Sequence, residues 1–145
     1  MFHNVGIFLF GTRGEFNELC HDVVTRLKKQ FPYIKRKVYL CLYETAVLQK
    51  DKKEQEDKTS QIIGKKIKFR EYDEIKQTKF YGKFAYINRN KYVINEADYC
   101  LFYYRENYEP DYQELCHGKR MYRSNSGTKI MYEYALKNKK HIIIV

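Results

Sequence analysis

The chain has no tryptophan, two prolines in 145 residues, and no apolar run long enough for a membrane helix. The missing run excludes a helical membrane span. The opening Met1-Phe2-His3-Asn4 passes straight into a strand-like segment with no secretory apolar region. The cysteines Cys20, Cys41, Cys100 and Cys116 form no CxxC pair, and His3, His21, His117 and His141 lack metal-ligand spacing, so no metal site is expected. The thiols read as reduced core residues of a cytoplasmic protein. No Gly-Lys-Ser/Thr completes a Walker A loop, and no full GxGxxG fingerprint occurs. A conventional kinase or NAD dehydrogenase is therefore disfavoured, and no cofactor is expected.

What is present is globular: 43% hydrophobic and 32% charged residues, in a length that suits a single domain over residues 1–145. The net charge of +10 attracts polyanions, whether nucleic acid or phosphorylated small molecules. Fifteen tyrosines supply rings that stack on bases or pack rigidly.

Apolar periodicity orders the chain. Val5 to Phe10 is a continuous apolar run, as in a strand buried on both faces. Phe16, Leu19, Cys20, Val23, Val24 and Leu27 recur at helical spacing, in a helix ending near Gln30 before Pro32. Lys37 to Tyr43 reads as the second strand, which completes a βαβ unit. Residues 44–66 read as a charged surface insert, loop or frayed helix, and 67–72 as a short third strand. A helix carrying Phe84, Ile87, Lys91 and Ile94 follows, then a strand over 99–104. After a loop rich in tyrosine and charge, a helix with Ile130, Met131, Tyr134 and Ala135 leads to a final strand over 140–145. The expectation is an α/β, Rossmann-like three-layer domain: a mostly parallel sheet of about five strands with helices on both faces.

Two glycine turns join strands to helices: Gly11-Thr12-Arg13-Gly14 and Ser124-Asn125-Ser126-Gly127-Thr128. Glycine permits positive φ and close approach, and a helix start offers unpaired N–H groups to a phosphate. In an open α/β sheet the ligand crevice lies beyond the carboxyl ends of the strands. Tyr103, Tyr104 and Tyr108 fall at or past such an end, where rings stack on a base or pack beneath a loop.

Taken in order, Phe10-Gly11-x-x-Gly14-x-Phe16-Asn17, Phe31-Pro32-Tyr33-Ile34-Lys35, Arg89-Asn90-x-x-Val93-Ile94-x-x-Ala97-Asp98, and Ser126-Gly127-Thr128 with Tyr134-Ala135 resemble the SLOG superfamily. That superfamily includes DprA and the Lonely Guy phosphoribohydrolases. The resemblance covers nearly the whole chain and implies a Rossmann-like fold that binds nucleotides or nucleotide-derived signals. By matching position it implies that Gly11, Thr12, Arg13 and Gly14 line the phosphate or ribose. Arg89, beside Asn90, would clamp a phosphate, and Ser126, Gly127 and Thr128 would form the second phosphate loop. It also implies that the chain opens at the family's second strand, so that a homo-oligomer is one way to complete the sheet.

The leading expectation is a sensor or sequestering module for a nucleotide-derived small molecule, with Tyr103 and Tyr104 stacking on its base. An N-glycosidic hydrolase is the first alternative. The acid after Thr128 is Glu133, more than a turn into its helix, so Glu15 is the better catalytic carboxylate. A nucleic-acid binder is the second. It is less favoured because the clusters Lys35-Arg36-Lys37 and Lys137 to Lys140 precede strands, at the sheet end away from the crevice. No membrane partner is expected.

Overall fold

The computed structural model describes residues 4–56, 70–105, 115–116, 119–120 and 127–145. The chain divides into two compact units, Met1–Arg89 and Asn90–Val145. No helix among the described residues is long and apolar enough to cross a membrane.

The first unit holds a three-stranded parallel sheet of β1 (Ile7–Phe10), β2 (Lys35–Leu40) and β3 (Glu74–Gln77), in that order. Phe10 lies opposite Val38, and Val38 opposite Ile75. β2 is the central strand, and Val38, Tyr39, Leu40 and Cys41 are all buried, as a strand flanked on both edges requires. Helix α1 (Glu15–Gln30) packs on β1 and β2. Its Val24 forms a core with Phe10 and Ile34, bordered by Phe8, Cys20, Leu27 and Tyr72. Glu15 and Glu18 in its first turn and Lys28 and Lys29 in its last oppose the helix dipole. The Phe31 N–H bonds Leu27 O at 2.8 Å, and Pro32 stops the helix there.

The α1 face is rotated from the expected stripe. His21 is buried at 4% exposure, while Leu19 and Val23 are exposed. His21 wedges against Phe10 and Tyr72, with ring centroids 5.5 and 4.8 Å away. Its Nε2 meets Glu71 O at 2.7 Å and donates there, since a carbonyl only accepts; Nδ1 is buried with no partner among the described residues.

Three expected strand positions are corrected. β2 starts two residues earlier than Lys37 and stops at Leu40, because Leu42 and Tyr43 open helix α2 (Leu42–Glu56). The charged stretch therefore begins as helix; residues 57–66 lie outside the described residues. The third strand is β3, not 67–72: residues 67–69 lie outside the described residues and 70–72 are not strand. β3 is an edge strand with the sequence Glu-Ile-Lys-Gln, so it needs no apolar run. The cluster Lys35-Arg36-Lys37 lies inside β2 rather than before it, and Arg36 is buried at 4%.

Helix α3 (Ala85–Glu96) spans the boundary between the units. In the second unit β4 (Tyr99–Phe102) pairs in parallel with β7 (His141–Ile144), Cys100 opposite Ile142. Between them, β5 (Leu115–Cys116) and β6 (Lys119–Arg120) form a short antiparallel pair, and helix α4 (Gly127–Lys137) packs on β4 and β7. Met131 and Ala135 supply its buried face. Tyr134 Oη donates to Asn95 Oδ1 at 2.9 Å, and Lys140 Nζ to Asn95 O at 3.1 Å.

The chain is thus α/β with parallel strands, but in sheets of three and two rather than one of about five. Apolar patterning marks a strand without naming its neighbour, and four-residue strands leave that pairing to few ladder bonds.

Candidate functional site

The site grows from the carboxyl ends of β1 and β2. After Phe10 the chain bends through Gly11-Thr12-Arg13-Gly14 into α1. Gly14 has φ 103°, a conformation that disfavours an L side chain, and it caps α1 with no side-chain hydrogen bond. The first amides of α1 are therefore left without a side-chain acceptor at their cap. Asn17 Nδ2 donates to Gly11 O at 2.9 Å and ties the bend to the helix.

At the end of β2, Cys41 precedes α2. The Cys41 N–H donates to Glu44 Oε1 at 3.0 Å, so a glutamate three residues on reaches back to the start of its helix. That is half of a capping box, with cysteine where serine or threonine usually stands. Thr45 N and Thr45 Oγ1 both donate to Cys41 O, at 3.0 and 3.2 Å. This cap fixes the Glu44 carboxylate.

Arg89, on α3, meets it. Arg89 is 2% exposed and Glu44 is 7% exposed. Arg89 Nη1 donates to Glu44 Oε1 at 2.7 Å and to Thr12 Oγ1 at 2.8 Å, so one guanidinium joins the β1–α1 bend, the start of α2 and α3. Glu44 Oε2 has no hydrogen-bond partner among the described residues and is not among the buried unpaired atoms, so it remains open. Tyr86, one turn before Arg89, receives two cations: the Arg13 guanidinium carbon lies 4.3 Å from its ring centroid and that of Arg89 5.1 Å. Arg13 has no acidic partner among the described residues.

These groups border a cavity of about 210 Å³ lined by Thr12, Arg13, Asn17, Glu18, Tyr43, Glu44, Val47, Arg70, Tyr72 and Tyr86. Arg70 is paired with Asp22 and lies 3.7 Å from Glu18. Burial pushes the Cys41 thiol up to about 11, with Glu44 adding to the rise and Arg89 opposing it, so Cys41 is protonated at neutral pH and is no nucleophile. Burial also raises the Tyr72 and Tyr86 phenols, which stay neutral. The cavity combines an available cation, an open carboxylate oxygen and neutral rings.

Of the residues singled out in the sequence, Thr12 and Arg13 line this cavity, Gly11 and Gly14 shape the bend beside it, and Arg89 is bonded to its wall. Glu15 is exposed and does not line it. In the second unit Asn90 is half-buried, and Gly127 and Thr128 are exposed at the start of α4. Tyr104 stacks on Tyr132 at 4.5 Å, while Tyr103 is exposed and accepts from Arg105 Nη2 at 3.0 Å. Ser124, Asn125, Ser126, Tyr108 and His117 lie outside the described residues. Sequence reading missed Glu44, Tyr86, Tyr43 and Tyr72. A glutamate three residues past the end of an apolar run is a capping signal, but the Cys41 cap hid it.

No protein-family model, curated protein or solved structure matches the chain.

Proposed function

We propose that the cavity beyond β1 and β2 binds a nucleotide or nucleotide-derived ligand, and that the protein acts as a sensor or sequestering module within a Rossmann-like fold. The observation that carries this is Arg13, a cation with no acidic partner among the described residues, held over the Tyr86 ring at 4.3 Å beside a buried Thr12–Arg89–Glu44 wall. A planar guanidinium with free donors suits a phosphate, and the uncapped start of α1 adds amides at the same bend. Tyr43, Tyr72 and Tyr86 offer ring faces. The resemblance to the SLOG superfamily points to the same ligand class. Arg89 serves this reading as the brace of the wall rather than as the phosphate clamp, because Glu44 already neutralises it.

Binding is favoured over N-glycosidic hydrolysis because Glu15 does not border the cavity. It is favoured over nucleic-acid binding because Arg36 and Arg89 are buried in ion pairs and add nothing to a basic surface.

Isothermal titration with the four ribonucleoside monophosphates tests this. Wild type is expected to bind, and Arg13→Ala to bind at least about tenfold more weakly, the worth of one charge-assisted hydrogen bond. Arg13 is exposed, so the variant should melt with wild type. A wild-type protein that takes up none of the four at millimolar concentration defeats the reading.

A further inference from the structure

We infer that residues 70–73 form a strap that gates the cavity, hinged at Asp73 and latched at Arg70 by an exposed ion pair to α1. The strap regulates the site proposed above, and the identity of its ligand rests on that reading.

Every residue of the strap is tied to the first unit. Arg70 pairs with Asp22 and lies 3.7 Å from Glu18, both on α1. Glu71 O accepts from His21 Nε2 at 2.7 Å. The Tyr72 ring rests on His21 and Phe10, with centroids 4.8 and 5.9 Å away. Asp73 is held by Arg36 and Lys28. Arg70 and Tyr72 also line the cavity, whose other lining residues come from the β1–α1 bend, α1, α2 and α3. Lifting the strap therefore removes part of the cavity wall.

The ties are unequal along its length. At the Asp73 end both carboxylate oxygens accept, and the Arg36 side chain is only 5% exposed, so that end stays fixed. At the Arg70 end the partners stand in water. The Arg70, Asp22 and Glu18 side chains are 33, 49 and 56% exposed, and an ion pair there holds weakly and is screened by salt. The middle tie is weakened by its own ring: His21 Nδ1 is buried with no partner among the described residues, and opening hydrates it together with Nε2. Unequal ties of this kind let a segment open while the rest of the fold stays intact. Glu18 lines the cavity too, so the latch belongs to the wall, and an anion entering beside Arg13 meets Arg70. A bound ligand touches Arg70 and Tyr72 only with the strap down, so binding favours closure.

Limited trypsin digestion of the full chain tests the strap, with cut sites identified by mass spectrometry. Trypsin cleaves after Arg70, at the latch, and after Lys76, in β3 beyond the hinge. Asp22→Ala removes the latch and suits an α-helix, while Glu15→Gln changes the net charge equally at an exposed residue of the same helix outside the strap. The free wild-type protein should be cut at Arg70 before Lys76. Cleavage at Arg70 should be roughly two- to fivefold faster in Asp22→Ala than in wild type or Glu15→Gln, the range for an exposed ion pair, with cleavage at Lys76 unchanged. AMP at about ten times its Kd should slow cleavage of wild type at Arg70 about tenfold, because only the closed strap holds it. Equal cutting at Arg70 in Asp22→Ala and wild type overturns the latch. Equal acceleration at both sites makes the ion pair a support of the whole fold and overturns the hinge. AMP that binds by titration yet leaves cleavage at Arg70 unchanged overturns the gate and leaves nucleotide binding standing. Failure of every nucleotide to bind overturns both readings.

Discussion

Arg36 and Arg89 are both buried in the first unit, at 4% and 2% exposure, yet they are held in opposite ways. Arg36, in β2, meets Asp73 just before β3. Asp73 Oδ2 accepts from the Arg36 backbone N–H at 2.8 Å and from Nε at 3.0 Å. Its Oδ1 accepts from Arg36 Nη2 at 3.2 Å and from Lys28 Nζ at 2.6 Å. Arg36 Nη1 donates to Thr25 Oγ1 at 3.2 Å, and the Asp73 N–H returns to Arg36 O at 2.9 Å. Both carboxylate oxygens are taken, and the cluster staples α1, β2 and the entry to β3. Glu44, at the carboxyl end of the same strand, spends one oxygen on Arg89 and keeps the other open to a cavity. An ion pair whose carboxylate oxygens are both taken supports the fold, whereas one with an acceptor left over at a cavity is also equipped to meet a ligand.

The largest expected effect falls on the closed pair. Asp73→Asn leaves Arg36 buried without its principal counter-charge and should cost about 4 kcal/mol in urea unfolding at pH 7. The hydrogen bonds from Arg36, with help from Lys28, hold the Asp73 carboxyl far below the usual carboxylate range, although burial opposes them. A carboxyl with its folded pKa depressed contributes stability that is fully present above its unfolded value of about 4 and lost as pH falls below it. Wild type should therefore lose stability steeply on acidification below about pH 4, and Asp73→Asn should show a flatter profile. Its affinity for AMP should equal that of wild type; a folded Asp73→Asn protein that no longer binds would break the contrast between the two ends.

Arg89→Met comes next, at about 2 kcal/mol. It strips Glu44 of its cation, but the Cys41 N–H remains and the open oxygen can be hydrated from the cavity, so less is stranded than at Asp73. AMP affinity should fall as well, since the wall loses its brace to Thr12. A loss of stability as large as that of Asp73→Asn, with AMP binding intact, would make Arg89 and Glu44 a second staple and erase the difference between them.

The contrast was only half legible in the sequence. α1, α3 and α4 stood out because apolar residues recur at helical spacing, and β2 because Val38 to Leu40 is continuously apolar. Gly14 was readable as a bend because of its residue type. Arg36 was placed in a basic cluster before its strand rather than inside it, and its buried pairing went unread, since its partner Asp73 is 37 residues away and β3 is polar edge strand with no period to mark it. Leu42 and Tyr43 continued an apolar run and read as strand, yet they form the first turn of α2 because Glu44 reaches back to the Cys41 amide. The same cap obscured the open carboxylate, so the functional candidates were drawn from the glycine turns. Pairings between distant segments leave no local pattern, and both ion pairs are of that kind.

Glu15 is the third carboxylate of the comparison, and the smallest effect is expected there. It opens α1 directly after Gly14, is exposed, and has no partner among the described residues. Its contribution is the attraction of a negative charge to the helix N-terminus, so Glu15→Gln should cost about 0.5 kcal/mol and lose even that at high salt. AMP affinity should be unchanged, because Glu15 does not line the cavity. The variant also bears on hydrolysis of an N-glycosidic bond, for which Glu15 is the candidate the sequence offers. Chromatography of AMP and NAD incubated with wild type and with Glu15→Gln should show no released base from either. Release by wild type that vanishes in Glu15→Gln would make this exposed carboxylate the working one and displace the open oxygen of Glu44 from the centre of the site.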